Sequence, residues 1–501
     1  MSVHRRTIVA TAVVAVLTLS ACSAGSSGGP SDSNDDSVRI ALTAEPQNLD
    51  FTTTGGAPIP QLLMTNVYEG LVFLDPEGEI QPALAESWEI SDDRKTYDFT
   101  LQEDVTFSNG EQFTAEDVKA SIERVQNEWA LDLKKKMGVV ESVEVVSPIH
   151  ARVNLSRPSN AWLFDMGTSI GAMMWKDATE LATEAIGTGP YQITEIKRGQ
   201  SISLEARDNY WGEAPAISDV ILRYYGDAVA TTNALRAGDV DLIYNLGAPD
   251  LIDSFEQDGS FTVQVGDTNR EIMLSMNNKR APFDDVRVRQ AVRYAIDNQA
   301  VIDTAWAGYG KDIGSLVPPH DPYYEDLTDM YPYDPAKARQ LLKDANAENI
   351  DVTWKVPTLP YATASSEIVV SLLADVGINV TIETTEFPAV WLDQVWTQAD
   401  YEMSVIGTAE ARDILITFND SDFYTGYDNS KIKDIATAAD AGSEEEYIEG
   451  MKEIARTISE DAAAEFLFLY PLVSVSKVGL EGVQVNEITE ALTLKSMHWT
   501  D

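Results

Sequence analysis

Cys22 is the only cysteine in this chain of 501 residues. No disulfide can therefore form within the chain, and its fold must be stabilised by burying a large hydrophobic core. The composition allows this, because 44% of the residues are hydrophobic. The part that follows the N-terminal segment is roughly 460 residues long, which is too long for a single core and predicts two or three lobes.

The N-terminal segment predicts export and anchoring. Two arginines precede an apolar run over residues 8–19, which is too short to span a bilayer of roughly 30 Å and is typical of a signal peptide, here residues 1–21. The run ends in Leu-Ser-Ala-Cys, which resembles the bacterial lipobox, so Cys22 is expected to carry a lipid. An ordinary secretory signal is the alternative. Residues 22–37 are mostly Ser, Gly, Asn and Asp and predict a flexible linker to the extracellular face of the plasma membrane.

The charge and the histidines exclude several functions. The formal net charge is −45, and a field of this sign repels nucleic acids and anionic lipid headgroups. Beyond the signal peptide, the histidines are His150, His320 and His498, which are too scattered to form a metal site. The sequence therefore predicts no metal site, no cofactor and no nucleic-acid partner.

Helical and strand-like patterns interleave along the chain and predict an α/β fold. Val38 to Leu42 alternates like a strand, and Thr114 to Asp117 has the form of a capping box that begins a helix. An amphipathic helix is predicted from Asp285 through Ile302. Asp334 followed by Pro335 predicts the start of another.

Five segments together resemble one family, the peptide- and nickel-binding proteins of ABC importers. They occur in the family's order and span nearly the whole chain after the linker, so the chain is identified as a member. The segments are NVYEGLVFLDPEGEIQPALAESWEIS at 66–91, TYDFTLQEDVTFSNGEQFTAEDVKASIERV at 96–125, IGTGPYQITEIKRGQSISLEARDNYWG at 186–212, NNKRAPFDDVRVRQAVRYAID at 277–297 and YPYDPAKARQLLKDA at 331–345.

The resemblance implies a two-lobe periplasmic-binding-protein fold, with a hinge and an extra subdomain inserted in the first lobe. By this analogy the main lobe comprises residues 38–62, 187–283 and 472–501, the inserted subdomain 63–186, and the second lobe 284–471. The implied function is capture of oligopeptides or similar solutes in the cleft between the lobes, and delivery to the permease subunits of an ABC importer. The protein is expected to act as a monomer.

The resemblance also points to a ligand segment after a strand of the second lobe. Peptide-binding members resemble Gly-Trp-x-x-Asp-Tyr-x-Asp-Pro there, with an acidic partner for the ligand's ammonium. The corresponding residues 406–414 lack the Trp and the Pro and are one residue shorter. Glu410 is the best replacement for the ammonium partner and Asp413 the second, while Arg412 suits a ligand carboxylate. The alternative is that Glu410, Arg412 and Asp413 form a network among themselves.

Other residues are weaker candidates for the cleft, because a place in the core or on the surface explains each of them better than contact with a ligand. Aromatic and polar groups of this kind suit a pocket that accepts varied side chains. The candidates are Glu45, Gln47, Trp175, Asn277, Phe387, Tyr424 and Tyr427.

Functions of other classes have less support. Gly167 to Gly171 satisfies the Gly-x-Ser-x-Gly pattern of hydrolases around Ser169, but the residues that follow predict no clear buried helix. No catalytic residue is therefore assigned, and the protein is not expected to be an enzyme. A receptor for a metal–chelator complex or another non-peptide solute, and a peptide-signal sensor with the same fold, remain open.

Overall fold

The structure is a computed structural model that describes residues 36–500. The predicted signal peptide, Cys22 and most of the predicted linker lie outside the described residues. No helix within residues 36–500 is long and apolar enough to cross a membrane. Helices and strands interleave throughout this part of the chain, as the predicted α/β class requires.

The largest sheet has seven strands. It is mixed, because Ser37–Leu42 runs parallel to both of its neighbours while the other pairs are antiparallel. In spatial order its strands are Phe261–Gly266, Leu472–Lys477, Leu242–Ile243, Ser37–Leu42, Asp219–Tyr224, Ser201–Ala206 and Tyr191–Lys197.

A second sheet has five strands and is also mixed, with Ile350–Pro357 parallel to both of its neighbours. Its strands, in spatial order, are Ile378–Thr385, Ile350–Pro357, Met403–Gly407, Glu271–Met276 and Ala464–Leu469. Every residue of the last two is buried, which is typical of strands covered on both faces.

The chain crosses between these two sheets twice. Phe261–Gly266 belongs to the seven-stranded sheet, and Glu271–Met276, four residues later, belongs to the five-stranded sheet. The return crossing joins Ala464–Leu469 to Leu472–Lys477. Two short crossings of this kind form the hinge that the resemblance implies.

The third sheet has four antiparallel strands, and two further strand pairs are small. The four strands are, in spatial order, Ala85–Ile90, Thr96–Leu101, His150–Leu155 and Val140–Ser147. The small pairs are Val72–Leu74 with Ile80–Pro82, and Leu480–Glu481 with His498–Trp499.

The helical segments comprise α-helices of nine or more residues and shorter segments. The longer α-helices are Ala115–Glu128, Ala228–Ala237, Val286–Ala295, Asn298–Trp306, Pro335–Asp344, Pro360–Asp375, Lys433–Ala441 and Glu444–Glu460. The shorter α-helices are Pro58–Leu63, Trp162–Asp165, Ile252–Glu256, Ala389–Trp391 and Ile414–Phe418. The 3₁₀ segments are Asp132–Val139, Ser169–Gly171, Pro249–Leu251, Thr328–Met330 and Asn429–Lys431, and Leu392–Thr397 is a π-helix.

The predicted helix starts are confirmed by their caps. Thr114 and Asp117 form the predicted capping box of Ala115–Glu128. Asp334 accepts hydrogen bonds from the backbone N–H groups of Ala336 and Lys337, at 3.0 and 2.9 Å. The helix predicted through Ile302 was wrong in length, because the chain becomes extended at Ile296 and a second helix begins at Asn298. The Asp297 carboxylate caps this second helix.

Two of the family-like segments meet at Glu69. Its carboxylate accepts hydrogen bonds from Thr188 Oγ1 at 2.9 Å, Tyr210 Oη at 2.7 Å and Trp211 Nε1 at 2.9 Å. Burial raises the pKa of Glu69, and these three donors oppose that shift. These contacts hold segment 186–212 against segment 66–91, so the residues that form them have a structural role.

Candidate ligand-binding site

A depression with a cavity volume of about 40 Å³ lies where the loop after strand Met403–Gly407 meets segments that belong to the rest of the chain. Glu410 and Ala411 line it from that loop. The remaining lining residues come from four other segments. They are Pro60, Met64, Thr65, Leu133, Lys136, Gly167, Thr168, Ser169, Thr489, Glu490 and Ala491. Chain segments from opposite sides of the two crossings therefore enclose one space.

Two carboxyl groups from opposite sides contribute to this space. Glu410 is exposed, and its side chain has no hydrogen bond or ion pair within residues 36–500. Burial raises the pKa of Glu490 to about 8, with further increases from Glu410 and Glu487. Arg270 and Lys136 oppose this shift. Because two carboxylates repel each other, this wall of the depression favours a proton or a cation.

Among the described residues that line the depression, Lys136 is the one with a positively charged side chain. Its Nζ donates to Asp165 Oδ1 at 2.9 Å, and both side chains are largely buried. Burial raises the pKa of Asp165, while Lys136 lowers it. The lysine is therefore already paired and neutralises Asp165 rather than Glu410.

Asp413 and Glu271 form a buried acidic pair behind the depression. Thr408 Oγ1 donates to Glu271 Oε2 at 2.6 Å. Burial is the main cause that raises the pKa of each carboxyl group. Glu271 and Glu410 raise the pKa of Asp413 further. Together these effects favour a proton on the pair, which keeps two like charges from sharing one buried space.

Arg412 does not pair with its neighbours in the loop. Its Nε donates to Asp321 Oδ1 at 3.4 Å, and its guanidinium lies 3.5 Å from the centre of the Phe164 ring. Asp321 is buried, and Phe164 belongs to helix Trp162–Asp165. The backbone of Arg412 has a positive φ of 55°, an uncommon conformation for a residue other than glycine.

The structure therefore brings Glu410 to the depression, with Asp413 behind it, and gives Arg412 other partners. The network of all three residues, which was the alternative, is not formed, because the ion pair of Arg412 is with Asp321. Contact of any of the three with a ligand stays a prediction.

The two polar candidates near the N-terminus lie apart from the depression. Glu45 accepts a hydrogen bond from the backbone N–H of Gly199 at 2.6 Å and pairs with Arg198 at 3.3 Å. Gln47 is exposed. Trp175 is half-buried and packs against the core between the seven- and four-stranded sheets. None of the three is among the residues that line the depression, and each stays a candidate.

The remaining candidates lie in the lobe of the five-stranded sheet. Asn277 and Tyr424 line a second depression, at the end of strand Glu271–Met276 that lies away from the crossing. Tyr427 Oη donates to Asp461 Oδ2 at 2.9 Å, and the Phe387 ring packs against Trp391. None of these four residues is among those that line the first depression, and their contact with a ligand also stays a prediction.

Sequence reasoning missed several residues around the depression. Lys136 ends a run of three lysines, Lys134 to Lys136, in a strongly acidic chain, and this run was a signal that could have found it. Glu490 and Glu271 gave no such signal, because each lies among ordinary residues and gains its environment from distant segments.

The Gly-x-Ser-x-Gly pattern around Ser169 has a structural explanation. A short helix, Trp162–Asp165, precedes it where a nucleophile elbow has a strand, and Ser169–Gly171 is itself a 3₁₀ turn. A Cβ on Gly171 would lie 1.9 Å from the carbonyl oxygen of Met166, so close backbone packing requires glycine there. Among residues 36–500, no group of three or more His, Cys, Asp or Glu side chains is arranged to hold a metal ion.

The raised pKa of Glu490 predicts a pH-dependent stability. Its folded pKa of about 8 lies above the ordinary value of 4.5, so the folded state binds the extra proton and loses stability as pH rises between these values. Glu490→Gln mimics the protonated form. Near pH 4.5, the solute-free variant should have the melting temperature of the wild type. At pH 8, its free energy of unfolding should exceed that of the wild type by about 1 kcal/mol or more, since one pKa unit corresponds to 1.36 kcal/mol.

Thermal melting of both proteins across this pH range checks the prediction. Glu410→Gln should weaken the pH dependence of the wild type, because it removes one source of repulsion at Glu490. A difference between wild type and Glu490→Gln that stays constant from pH 4.5 to pH 8 would contradict the prediction.

The chain is similar to known solute-binding proteins in its sequence. Residues 79–426 match the sequence model of the bacterial extracellular solute-binding proteins, family 5 Middle. The chain is 29% identical to heme-binding protein A of Haemophilus influenzae over 75% of this chain and 76% of that protein. It is also 29% identical to the dipeptide-binding protein of Escherichia coli, over 62% of this chain and 64% of that protein, less than two thirds of its length.

A solved structure shows the same fold. The periplasmic binding protein DppA from Helicobacter pylori, in complex with the peptide STSA, superposes with a TM-score of 0.82 at 22% identity. The superposition covers 93% of this chain and 98% of that one. The fold is therefore that of a two-lobe periplasmic binding protein. The chain belongs to the family 5 bacterial extracellular solute-binding proteins.

Proposed function

We propose that the protein captures an oligopeptide or peptide-like solute between its lobes and delivers it to the permease subunits of an ABC importer. The depression that chain segments from both lobes enclose carries this proposal. Glu410 lines it without a hydrogen bond or ion pair among the described residues, so its carboxylate is available to the ammonium group of a peptide. The dipeptide-binding relative and the peptide complex of the structural neighbour support a peptide as the solute.

The proposal also includes the lobe boundaries given above, action as a monomer and the absence of enzymatic activity. It further includes the lipid anchor at Cys22, which is supported by the lipobox-like residues and lies outside the described part of the chain.

A metal–chelator complex is the second candidate solute. Heme-binding protein A, the relative that aligns over three quarters of this chain, favours it. A chelate would be held through its organic part, so it needs no cluster of protein ligands for the metal.

Native mass spectrometry of protein purified without denaturation should identify the solute. Adding it back to protein that was unfolded, washed and refolded should raise the melting temperature. A solute at 100 times its dissociation constant adds about 2.7 kcal/mol to the free energy of unfolding. Small-angle scattering should show a smaller radius of gyration as the lobes close. An unchanged radius at saturating solute would contradict capture by closure.

A further inference from the structure

A second contact between the lobes lies outside the depression, around Asp440. Asp440 is near the end of helix Lys433–Ala441, and its carboxylate accepts from Ser159 Oγ at 2.8 Å and from the backbone N–H of Ala161 at 3.1 Å. Arg157 Nη1 forms an ion pair with the other carboxylate oxygen. The three donors lie in the loop between strand His150–Leu155 and helix Trp162–Asp165, so the carboxylate satisfies N–H and O–H groups at the start of that helix.

In the opposite direction, Asn160 of the loop donates hydrogen bonds to the end of helix Lys433–Ala441. Its Nδ2 donates to the carbonyl oxygens of Ala439 and Asp440, both at 3.1 Å, and of Gly442 at 2.9 Å. Its backbone N–H donates to the Asp440 carbonyl at 2.9 Å. Arg94 Nη2 donates to Asn160 Oδ1 at 2.6 Å and holds the amide in place. The last carbonyl groups of a helix have no partner within it, and here Asn160 supplies one.

Each element therefore caps a helix end of the other across the boundary between the lobes. None of the residues named in these contacts lines the depression. Ser159 is buried and the Asp440 side chain is 13% exposed, so the contact is partly shielded from water. Separating the lobes would break at once every hydrogen bond that joins residues 157–161 to Asp440 and its neighbours, whereas it leaves the hydrogen bonds within each sheet intact.

We propose that Asp440 and the loop of residues 157–161 form an interlobe clasp that favours the closed arrangement and sets the affinity for solute from outside the binding site. The effect on affinity rests on the proposed function, whereas the effect on closure is a property of the protein without solute. A solute that binds the closed arrangement has an apparent affinity in proportion to the closed fraction. A given substitution in the clasp should therefore change the affinity by one factor that is the same for all solutes.

The opening of the solute-free protein tests the clasp without knowledge of the solute. Spin labels at Val146→Cys and Tyr333→Cys, two exposed positions in different lobes, are introduced into the Cys22→Ser chain. Double electron–electron resonance then measures the distances between the lobes. We expect the solute-free wild type to populate both open and closed arrangements, and the open-to-closed ratio to be about tenfold or more higher in Asp440→Ala, because three hydrogen bonds to a carboxylate are lost.

Two further variants make the result specific. Arg157→Gln removes only the ion pair and should shift the same ratio by a smaller factor. Asp98→Ala removes a carboxylate that pairs with Arg152 inside the four-stranded sheet, at 2.8 Å, and should leave the distances unchanged. The proposal is overturned by a wild type that is fully open without solute, by equal distances in wild type, Asp440→Ala and Arg157→Gln, or by equal opening in Asp98→Ala. If Asp440→Ala does not fold, Arg157→Gln alone decides.

Discussion

Glu410→Gln should weaken solute binding by about 30- to 5,000-fold, which corresponds to about 2–5 kcal/mol. Glu410 lines the depression and has no hydrogen bond or ion pair within residues 36–500. A ligand ammonium paired with it would lose its partner in a closed site, while the amide has nearly the same size. Isothermal titration calorimetry with the solute recovered from the native protein measures the loss.

An N-acetylated form of the same peptide sharpens the test. Acetylation removes the ammonium charge, so the wild type should lose a similar affinity, and Glu410→Gln should then lose little more. Glu383→Gln is the matched control, because Glu383 is exposed on Ile378–Thr385, an edge strand of the five-stranded sheet. Wild-type affinity in Glu410→Gln would remove this residue from the site.

Arg412→Gln should lower the free energy of unfolding by about 3 kcal/mol, even without solute. The substitution leaves Asp321, which is buried, without its cationic partner, and it removes the guanidinium stacked at 3.5 Å on Phe164. A single buried charge without a partner costs far more than an exposed one. Urea unfolding of the solute-free protein measures the change.

Arg280→Gln is the control for Arg412→Gln. The Arg280–Asp400 pair is 2.8 Å long, but its side chains are 45% and 60% exposed, so its loss should cost less than about 1 kcal/mol. Arg412→Gln with wild-type stability and a large loss of solute affinity would favour the ligand carboxylate as the partner of Arg412. Lower stability with little change in affinity would assign it a structural role.

Sequence patterns predicted the starts of helices correctly where both residues of a capping contact are neighbours in the chain. Thr114 and Asp117 lie within one turn of each other, and their mutual capping follows from the sequence alone. The helix predicted through Ile302 shows where this ends. The apolar spacing continues across Ile296, but Asp297 caps a new helix, and periodicity does not distinguish one helix from two.

The candidate site was predicted in part. The segment around Glu410 was found through its resemblance to a family pattern, and the structure brings Glu410 to the depression. Lys136, Glu271 and Glu490 were missed. Glu490 lies 80 positions after Glu410 in the chain, and the two interact electrostatically only because the chain crosses twice between the sheets.

The sequence by itself determined the α/β class, the helix caps and, through five segments in order, the family. These depend on contacts within a few residues or on patterns that neighbouring residues carry. Only the tertiary structure decided the partners of Arg412 and Asp440. Asp321 and Phe164 lie 91 and 248 positions before Arg412, and Asn160 lies 280 positions before Asp440. No local pattern specifies such pairs, because their distance is set by how whole sheets and helices pack.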